Sequence, residues 1–331
     1  MDNQLNSGIN EINEITENIV TIDDVDIKTF LDTNRDINIL WGVQPREKPT
    51  LEFLIPIIQI MKFLKHGFII TILLADIHEL LESPHLNLEL IKYRCEAYKE
   101  LISQLIEIFD VSSGSILFKY GSEFQTSSDY TMDIYKISSL SSIKDTYKSR
   151  EIDIDDIDVS INSSDKKMTN MLYPILQALD EKYTYCDAFY GSITQKNMCK
   201  FSRNLMKNFR KIDKNIVYML QDLTKKIDIS FFDPNDTVRN KLNDFSLDDI
   251  YYLYEHILFP LLYYKKDKIF INDSEIENYK NFRQYILLND LDKNEIVEII
   301  SEYLSKHLDK FYYNLISSKF MYYYQKGWMG V

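Results

Sequence analysis

Apolar positions along the chain switch between two periods, and the switching predicts alternating strands and helices over the first two thirds. Residues 38–42 (NILWG) form a short apolar run that stops at glycine, as a strand does. Between 50 and 65, apolar side chains recur at Leu51, Leu54, Ile55, Ile58, Met61 and Leu64, which is helical spacing. Gly67 follows as a C-terminal glycine. Residues 68–75 (FIITILLA) are a continuous β-branched run, expected of a strand buried on both faces. A long helix is predicted over 87–109, a strand over 115–120 and a helix over 130–140. A helix over 171–183, a strand over 186–190 and a helix over 195–210 follow. This order predicts an α/β fold, a parallel sheet with helices on both faces. Ligands then sit at the carboxyl ends of the strands, which places 40–42 and 76–78 at the rim of a cleft. From Phe245 the pattern changes. Residues 247–264, 273–288 and 292–320 read as helices with aromatic-rich faces, interrupted only by an extended piece at 268–271. The expected organisation is a frayed or weakly helical lead-in over 1–25, a sheet domain over 26–235 and an all-helical domain over 236–331. The acidic run 151–160 (EIDIDDIDVS) reads as a solvated loop.

The helix at 171–183 carries the candidate chemistry. Tyr173, Gln177 and Asp180 stand at i, i+4 and i+7 and share one face. Met171, Leu172, Leu176 and Leu179 bracket that face, and Pro174 is expected near the first turn, where its missing N–H is harmless. A buried polar group without a partner costs roughly 1–3 kcal/mol. An inward line of phenol, amide and carboxylate suits a small polar ligand held by its ammonium and hydroxyl. Spacing alone fits an exposed polar stripe equally well.

Composition narrows the function classes. The net charge of −13 disfavours general nucleic-acid binding, which needs clustered Lys and Arg. Only 8 of 331 residues are glycine, and there is no GxGxxG and no P-loop for phosphate. Cys95, Cys186 and Cys199 form no ligand pattern, so no zinc site or disulfide framework is expected. No apolar run reaches the length of a membrane span, and the N-terminal residues resemble no signal segment, so a cytoplasmic location is expected. The one basic concentration is Lys196, Lys200, Arg203, Lys207 and Arg210, followed by Lys211, which reads either as a solvated face or as an RNA contact. His78 at the end of the second strand is expected to be packed or solvated. His66, His85, His256 and His307 show no ligand spacing.

Several stretches, in order, resemble tyrosyl-tRNA synthetases of the archaeal and eukaryotic type, class I aminoacyl-tRNA synthetases. They are LWG at 40–42, KP at 48–49, FLKHGFIITILLADIHELLE at 63–82 and GSEFQTSSDYTMDIYKISSL at 121–140. LYPILQALDEKY at 172–183, DAFYGSITQ at 187–195, KIDIS at 226–230 and HILFPL at 256–261 complete the set. The resemblance covers about 26–315. It implies a Rossmann-like catalytic domain, a helical anticodon-binding domain and a homodimer. It also implies that Tyr173, Gln177, Asp180 and Gln195 hold an amino acid such as tyrosine. Leu40 stands where the family has a tyrosine that helps recognise the substrate hydroxyl, so discrimination against phenylalanine is expected to weaken.

The resemblance fails on the nucleotide side, where Gly42 and Lys48 remain as nucleotide-binding candidates. The HIGH motif reads Thr50-Leu51-Glu52-Phe53, with Thr50 for the histidine and Glu52 for the small residue that leaves room for adenine. Glu47 replaces the upstream glycine, so two carboxylates are expected to face the nucleotide. The flexible KMSKS loop is missing, leaving Lys225 and Lys226 as poor substitutes or as residues of a surface turn. Thr194 replaces the aspartate that grips the ribose. Adenylation builds charge on phosphate oxygens and needs preplaced donors. Three readings follow. One is a catalytically inactive or strongly impaired synthetase-like protein that binds tyrosine or a similar amino acid, tRNA or a protein partner. The second is a divergent, active tyrosine–tRNA ligase that uses ATP with Mg²⁺ and relies on Lys48, Lys225 and Lys226. The third is an amino-acid sensor built on the same pocket.

Overall fold

A computed structural model describes residues 15–22, 27–31, 36–108, 115–151, 167–210, 216–265, 267–271, 274–276 and 278–329. The expectation for the acidic run falls almost wholly outside these residues.

The sheet has six strands: β1 (Val20–Thr21), β2 (Asn38–Val43), β3 (Ile69–Leu74), β4 (Ile116–Tyr120), β5 (Ala188–Ser192) and β6 (Val217–Gln221). Their order is β1-β6-β5-β2-β3-β4. β2 to β6 pair in parallel, and β1 adds antiparallel at the edge, with Val20 opposite Leu220. β2 is central, so Leu40 lies between Thr71 on β3 and Phe189 on β5. The β-branched run of β3 is buried from Ile70 to Leu74, as a strand covered on both faces requires. Gly67, before β3, takes φ +80, a conformation open to glycine at little cost.

The helices of the first two thirds are α1 (Ile27–Leu31), α2 (Leu54–Lys65), α3 (Asp76–Glu82), α4 (Leu88–Ile108), α5 (Gly121–Gln125), α6 (Ser128–Ser138), α7 (Ile143–Ser149), α8 (Thr169–Tyr183) and α9 (Lys196–Arg210). Three expectations are corrected. α8 begins at Thr169, so Pro174 is its sixth residue and lies inside the helix, where it removes one backbone donor. The strand expected over 186–190 starts two residues later, because Asp187 is spent joining it to β2. Its amide donates to the Asn38 carbonyl (2.8 Å), and its carboxylate accepts from the Asn38 amide (3.0 Å). The lead-in is also not wholly frayed, since β1 pairs with β6.

Beyond the sheet lie α10 (Asn235–Asp244), α11 (Leu247–Leu253), α12 (Phe259–Lys265), α13 (Tyr279–Asn289), α14 (Lys293–Ser317) and α15 (Phe320–Tyr324). The helix expected over 273–288 starts only at Tyr279. Residues Ser274–Ile276 instead pair with Ile269–Ile271 as a two-stranded ribbon. α14 opens with a capping box between Asp292 and Glu295. A π-helical turn, Tyr254–Leu258, joins α11 to α12, and Tyr254 stacks on Phe282 with centroids 3.7 Å apart.

Contacts divide the chain into two compact units. One comprises Met1–Arg46, Lys62–Cys95 and Gly114–Thr224; the other comprises Glu47–Met61, Glu96–Ser113 and Lys225–Val331. Residues 47–61 and 96–113, assigned from sequence to the sheet domain, thus cluster with the C-terminal segment. No described helix is long and apolar enough to cross a membrane.

Candidate functional site

Strand alternation places residues of equal parity on one face. Leu40, Gly42 and Gln44 therefore line one side of a cavity at the carboxyl end of the central strands, beside Leu73, Ala75 and Phe189. α3 adds His78, α8 adds Tyr173, Gln177 and Asp180, and Gln195 follows β5. The cavity measures about 100 Å³ and lies wholly within the first unit. Six candidates named from sequence converge here: Leu40, Gly42, Tyr173, Gln177, Asp180 and Gln195.

Asp180 is buried and held by residues that spacing did not reveal. Its Oδ1 accepts from Gln125 Nε2 (2.7 Å) and from the Tyr130 hydroxyl (2.8 Å). Burial pushes its carboxyl up to about 7, and Asp76 adds to the rise; the bonds from Gln125 and Tyr130 pull against it. Oδ2 lies 3.6 Å from His78 Nε2. Burial drives His78 down to about 4, so the ring is neutral near pH 7. Gln125 and Tyr130 sit on separate short helices, α5 and α6. No periodicity relates them to Asp180, and only the tertiary fold brings them together.

Tyr173 is fixed on several sides. Its hydroxyl donates to Gln44 Oε1 (3.3 Å), whose amide donates to Glu79 Oε2 (2.8 Å). The His78 ring meets it edge-on at 4.6 Å, and the Arg150 guanidinium lies 4.6 Å from its centroid. Arg150 Nη1 is itself 2.6 Å from Glu82 Oε1. Burial is the main reason the Tyr173 phenol is pushed up to about 12. Gln195 uses Oε1 to accept the Ser192 amide (3.1 Å). A Cβ on Gly191 would lie 2.3 Å from that oxygen and 2.6 Å from the Phe189 ring, so this position needs glycine to keep Gln195 in place. Three buried polar atoms around the cavity find no hydrogen-bond partner: Asp76 Oδ2, His78 Nδ1 and Gln125 Oε1.

None of Lys48, Thr50, Glu52, Thr194, Lys225 and Lys226 lines this cavity. Thr50 forms an isolated bridge to Ser230. Glu52 Oε2 accepts the Ile227 amide at 2.7 Å. Glu47, largely exposed, stands 3.4 Å from Lys226. Lys225 is held by Asp249 Oδ1 (2.5 Å) and lies 5.6 Å from the Tyr252 ring. Lys48 lies 5.7 Å from the Tyr324 ring, and Thr194 donates to Ser192 Oγ (2.9 Å). Lys48, Lys225 and Lys226 thus each stand beside a protein group. Among the described residues, no group of three or more His, Cys, Asp or Glu is placed to hold a metal. In the basic helix α9, Arg203 stacks over Tyr218 at 5.0 Å.

The family described as tRNA synthetases class I (W and Y) matches residues 32–229. A probable cytoplasmic tyrosine–tRNA ligase of Encephalitozoon cuniculi is 28% identical over 312 residues, covering 84% of this chain and 90% of that protein. A probable cytoplasmic tyrosine–tRNA ligase of Vairimorpha ceranae is 26% identical over 307 residues, covering 88% and 90%. The fold is shared with the tyrosyl-tRNA synthetase of Archaeoglobus fulgidus, solved with L-tyrosine. Its TM-score is 0.76 at 20% identity, covering 93% of this chain and 99% of that one. The Aeropyrum pernix tyrosyl-tRNA synthetase gives a TM-score of 0.79 at 15% identity, covering 98% and 99%.

Proposed function

The chain belongs to the class I tRNA synthetases (W and Y), and from that premise we propose that it is a tyrosyl-tRNA synthetase-like binding protein. It keeps an amino-acid pocket and has lost most or all of the adenylation chemistry. The observation that carries this reading is the convergence of Tyr173, Gln177, Asp180 and Gln195 on one cavity. Their chemistry suits a zwitterion with a phenol. The Tyr173 hydroxyl and the carbonyl oxygens of Gln177 and Gln195 have lone pairs to accept from an ammonium. Asp180 Oδ2 takes the far end of the ligand. The partnered state of Lys225, Lys226, Glu52 and Thr194 supports the loss of nucleotide chemistry, since charge developing on phosphate needs donors already aimed at it.

Calorimetry of the full chain with L-tyrosine tests the reading. Saturable binding that Gln177→Ala abolishes is expected, and no heat of binding at millimolar tyrosine overturns it. Pyrophosphate exchange with tyrosine and ATP addresses the chemistry. Turnover above an Asp180→Ala control replaces this reading with a working ligase. One observation favours that second reading: Glu52 spends an oxygen on Ile227, and Glu47 turns to solvent, so the expected repulsion of a nucleotide is weaker than sequence implied. The proposal includes a cytoplasmic homodimer with tRNA or a protein as its macromolecular partner. A gel shift with tRNA at two salt concentrations tests the nucleic-acid role.

A further inference from the structure

A second polar side chain lines the cavity beside Asp180. Leu40 offers no donor or acceptor, which leaves Asp180 as the one expected contact. Yet Asp180 does not face the cavity alone. His78 lines it too, buried, with Nε2 3.6 Å from Asp180 Oδ2 and Nδ1 without a partner. That separation is too long for a hydrogen bond between the two groups. It is short enough for one oxygen to lie about 2.8 Å from both.

We propose that His78 is a specificity-determining residue that takes over from the missing tyrosine at position 40, donating from Nε2–H to a ligand hydroxyl that itself donates to Asp180 Oδ2. The inference rests on the pocket being an amino-acid site, and it narrows the ligand class to hydroxyl-bearing aromatic amino acids.

Three observations support it. Above about pH 7, where Asp180 is ionised, its oxygen beside Nε2 favours the tautomer with the ring proton there, and we assign the proton to Nε2 on that ground. The ring is neutral, so it has one N–H and brings no positive charge into the pocket. Gln125 and Tyr130 both bond Oδ1, which leaves Oδ2 as the oxygen open to a ligand. A hydroxyl between His78 and Asp180 therefore uses both its donor and its acceptor. Phenylalanine would bury this pair without satisfying either member, and a site of that kind rejects an analogue lacking the hydroxyl.

The test is calorimetry of the full chain with L-tyrosine and L-phenylalanine, using wild type, His78→Phe and His78→Gln. Wild type is expected to favour tyrosine. His78→Phe should weaken tyrosine by about 10–100-fold while leaving phenylalanine within about threefold, and His78→Gln, which keeps an N–H near the Nε2 position, should recover part of the preference. In ¹⁵N-histidine spectra of wild type, tyrosine should shift the His78 Nε2 signal and phenylalanine should not. This readout needs no variant to fold. An unchanged tyrosine-to-phenylalanine ratio in His78→Phe, or an Nε2 signal that ignores bound tyrosine, overturns the proposal. If wild type binds neither amino acid, the pocket reading falls and takes this inference with it.

Discussion

Replacing Asp180 with asparagine should make the protein more stable at alkaline pH, and by an amount that depends on pH in a defined way. The carboxyl ordinarily ionises near 3.8 and here near about 7, chiefly because it is buried. A tenfold difference in proton affinity is worth ~1.4 kcal/mol, so the full difference is on the order of 4 kcal/mol. The folded state binds this proton more tightly than the unfolded state. Between about pH 4 and pH 7 the folded protein keeps a proton that the unfolded chain has released, and stability falls as pH rises through that window. Asparagine cannot ionise, and its carbonyl oxygen can still accept from Gln125 and Tyr130. The variant's advantage over wild type should therefore grow by about 4 kcal/mol between pH 4 and pH 8, then level off. His78 acts in the opposite sense. Lowered to about 4, it removes stability as pH falls below its ordinary 6.5, but it does so in both proteins and cancels in the comparison. Urea unfolding of both proteins at matched pH values measures the difference. A flat difference curve, or a wild type that gains on the variant as pH rises, would refute the reasoning.

Tyr130→Phe removes the hydroxyl bonded to Asp180 Oδ1 and to the Leu176 carbonyl. It should cost about 1–3 kcal/mol and move the Asp180 titration upward, as read by the same pH series. Gly191→Ala drives a Cβ into Gln195 Oε1 and the Phe189 ring, so tyrosine binding should fall at least tenfold by calorimetry while the far-ultraviolet spectrum stays native. Arg150→Ala frees one face of the Tyr173 ring. A lost cation–π contact of ~0.5–2 kcal/mol should weaken tyrosine by about 2–30-fold, and unchanged affinity would show that Gln44 and His78 hold the ring without help. Glu52→Ala leaves the Ile227 amide unmatched. Thermal unfolding should report a loss of about 1 kcal/mol, with no gain in pyrophosphate exchange.

The parallel sheet was legible because strands buried on both faces write themselves as unbroken apolar runs, as in β3. The sequence pattern does not predict β6 although all five of its residues are buried, because VYMLQ is short and lies beside an expected loop deletion. The ribbon at 269–276 was half seen, since three-residue strands lack the length to set a period. On α8, spacing put Tyr173, Gln177 and Asp180 on one face, and the fold turned that face inward. Spacing could not reveal Gln44, Gln125 or Tyr130, which reach the site from other elements through tertiary contacts. The strand order sets His78 at the rim of the cleft, and the structure buries it there, but nothing local distinguishes a histidine that lines a cavity from one packed in a core.

Glu52 explains how nucleotide-side residues can change without leaving a defect. Here the stretch at 50–52 is stitched to 227–230 by three contacts. Leu51 donates its amide to the Ile229 carbonyl (2.8 Å), Thr50 bridges Ser230, and the Glu52 carboxylate accepts the Ile227 amide. A mobile catalytic loop between 221 and 227 would need slack that these contacts remove. The Ile227 amide needs an acceptor, since a buried backbone donor left unmatched is costly. A glutamate at position 52 reaches it, whereas a glycine or alanine would not. Glu52, which the family resemblance sets where a small residue leaves room for adenine, is thus the acceptor of the Ile227 amide. Replacing Glu52 with glycine or alanine would therefore remove the Ile227 amide's acceptor. The cavity lined by Tyr173, Gln177 and Asp180 lies in the other compact unit and draws none of its lining from this segment.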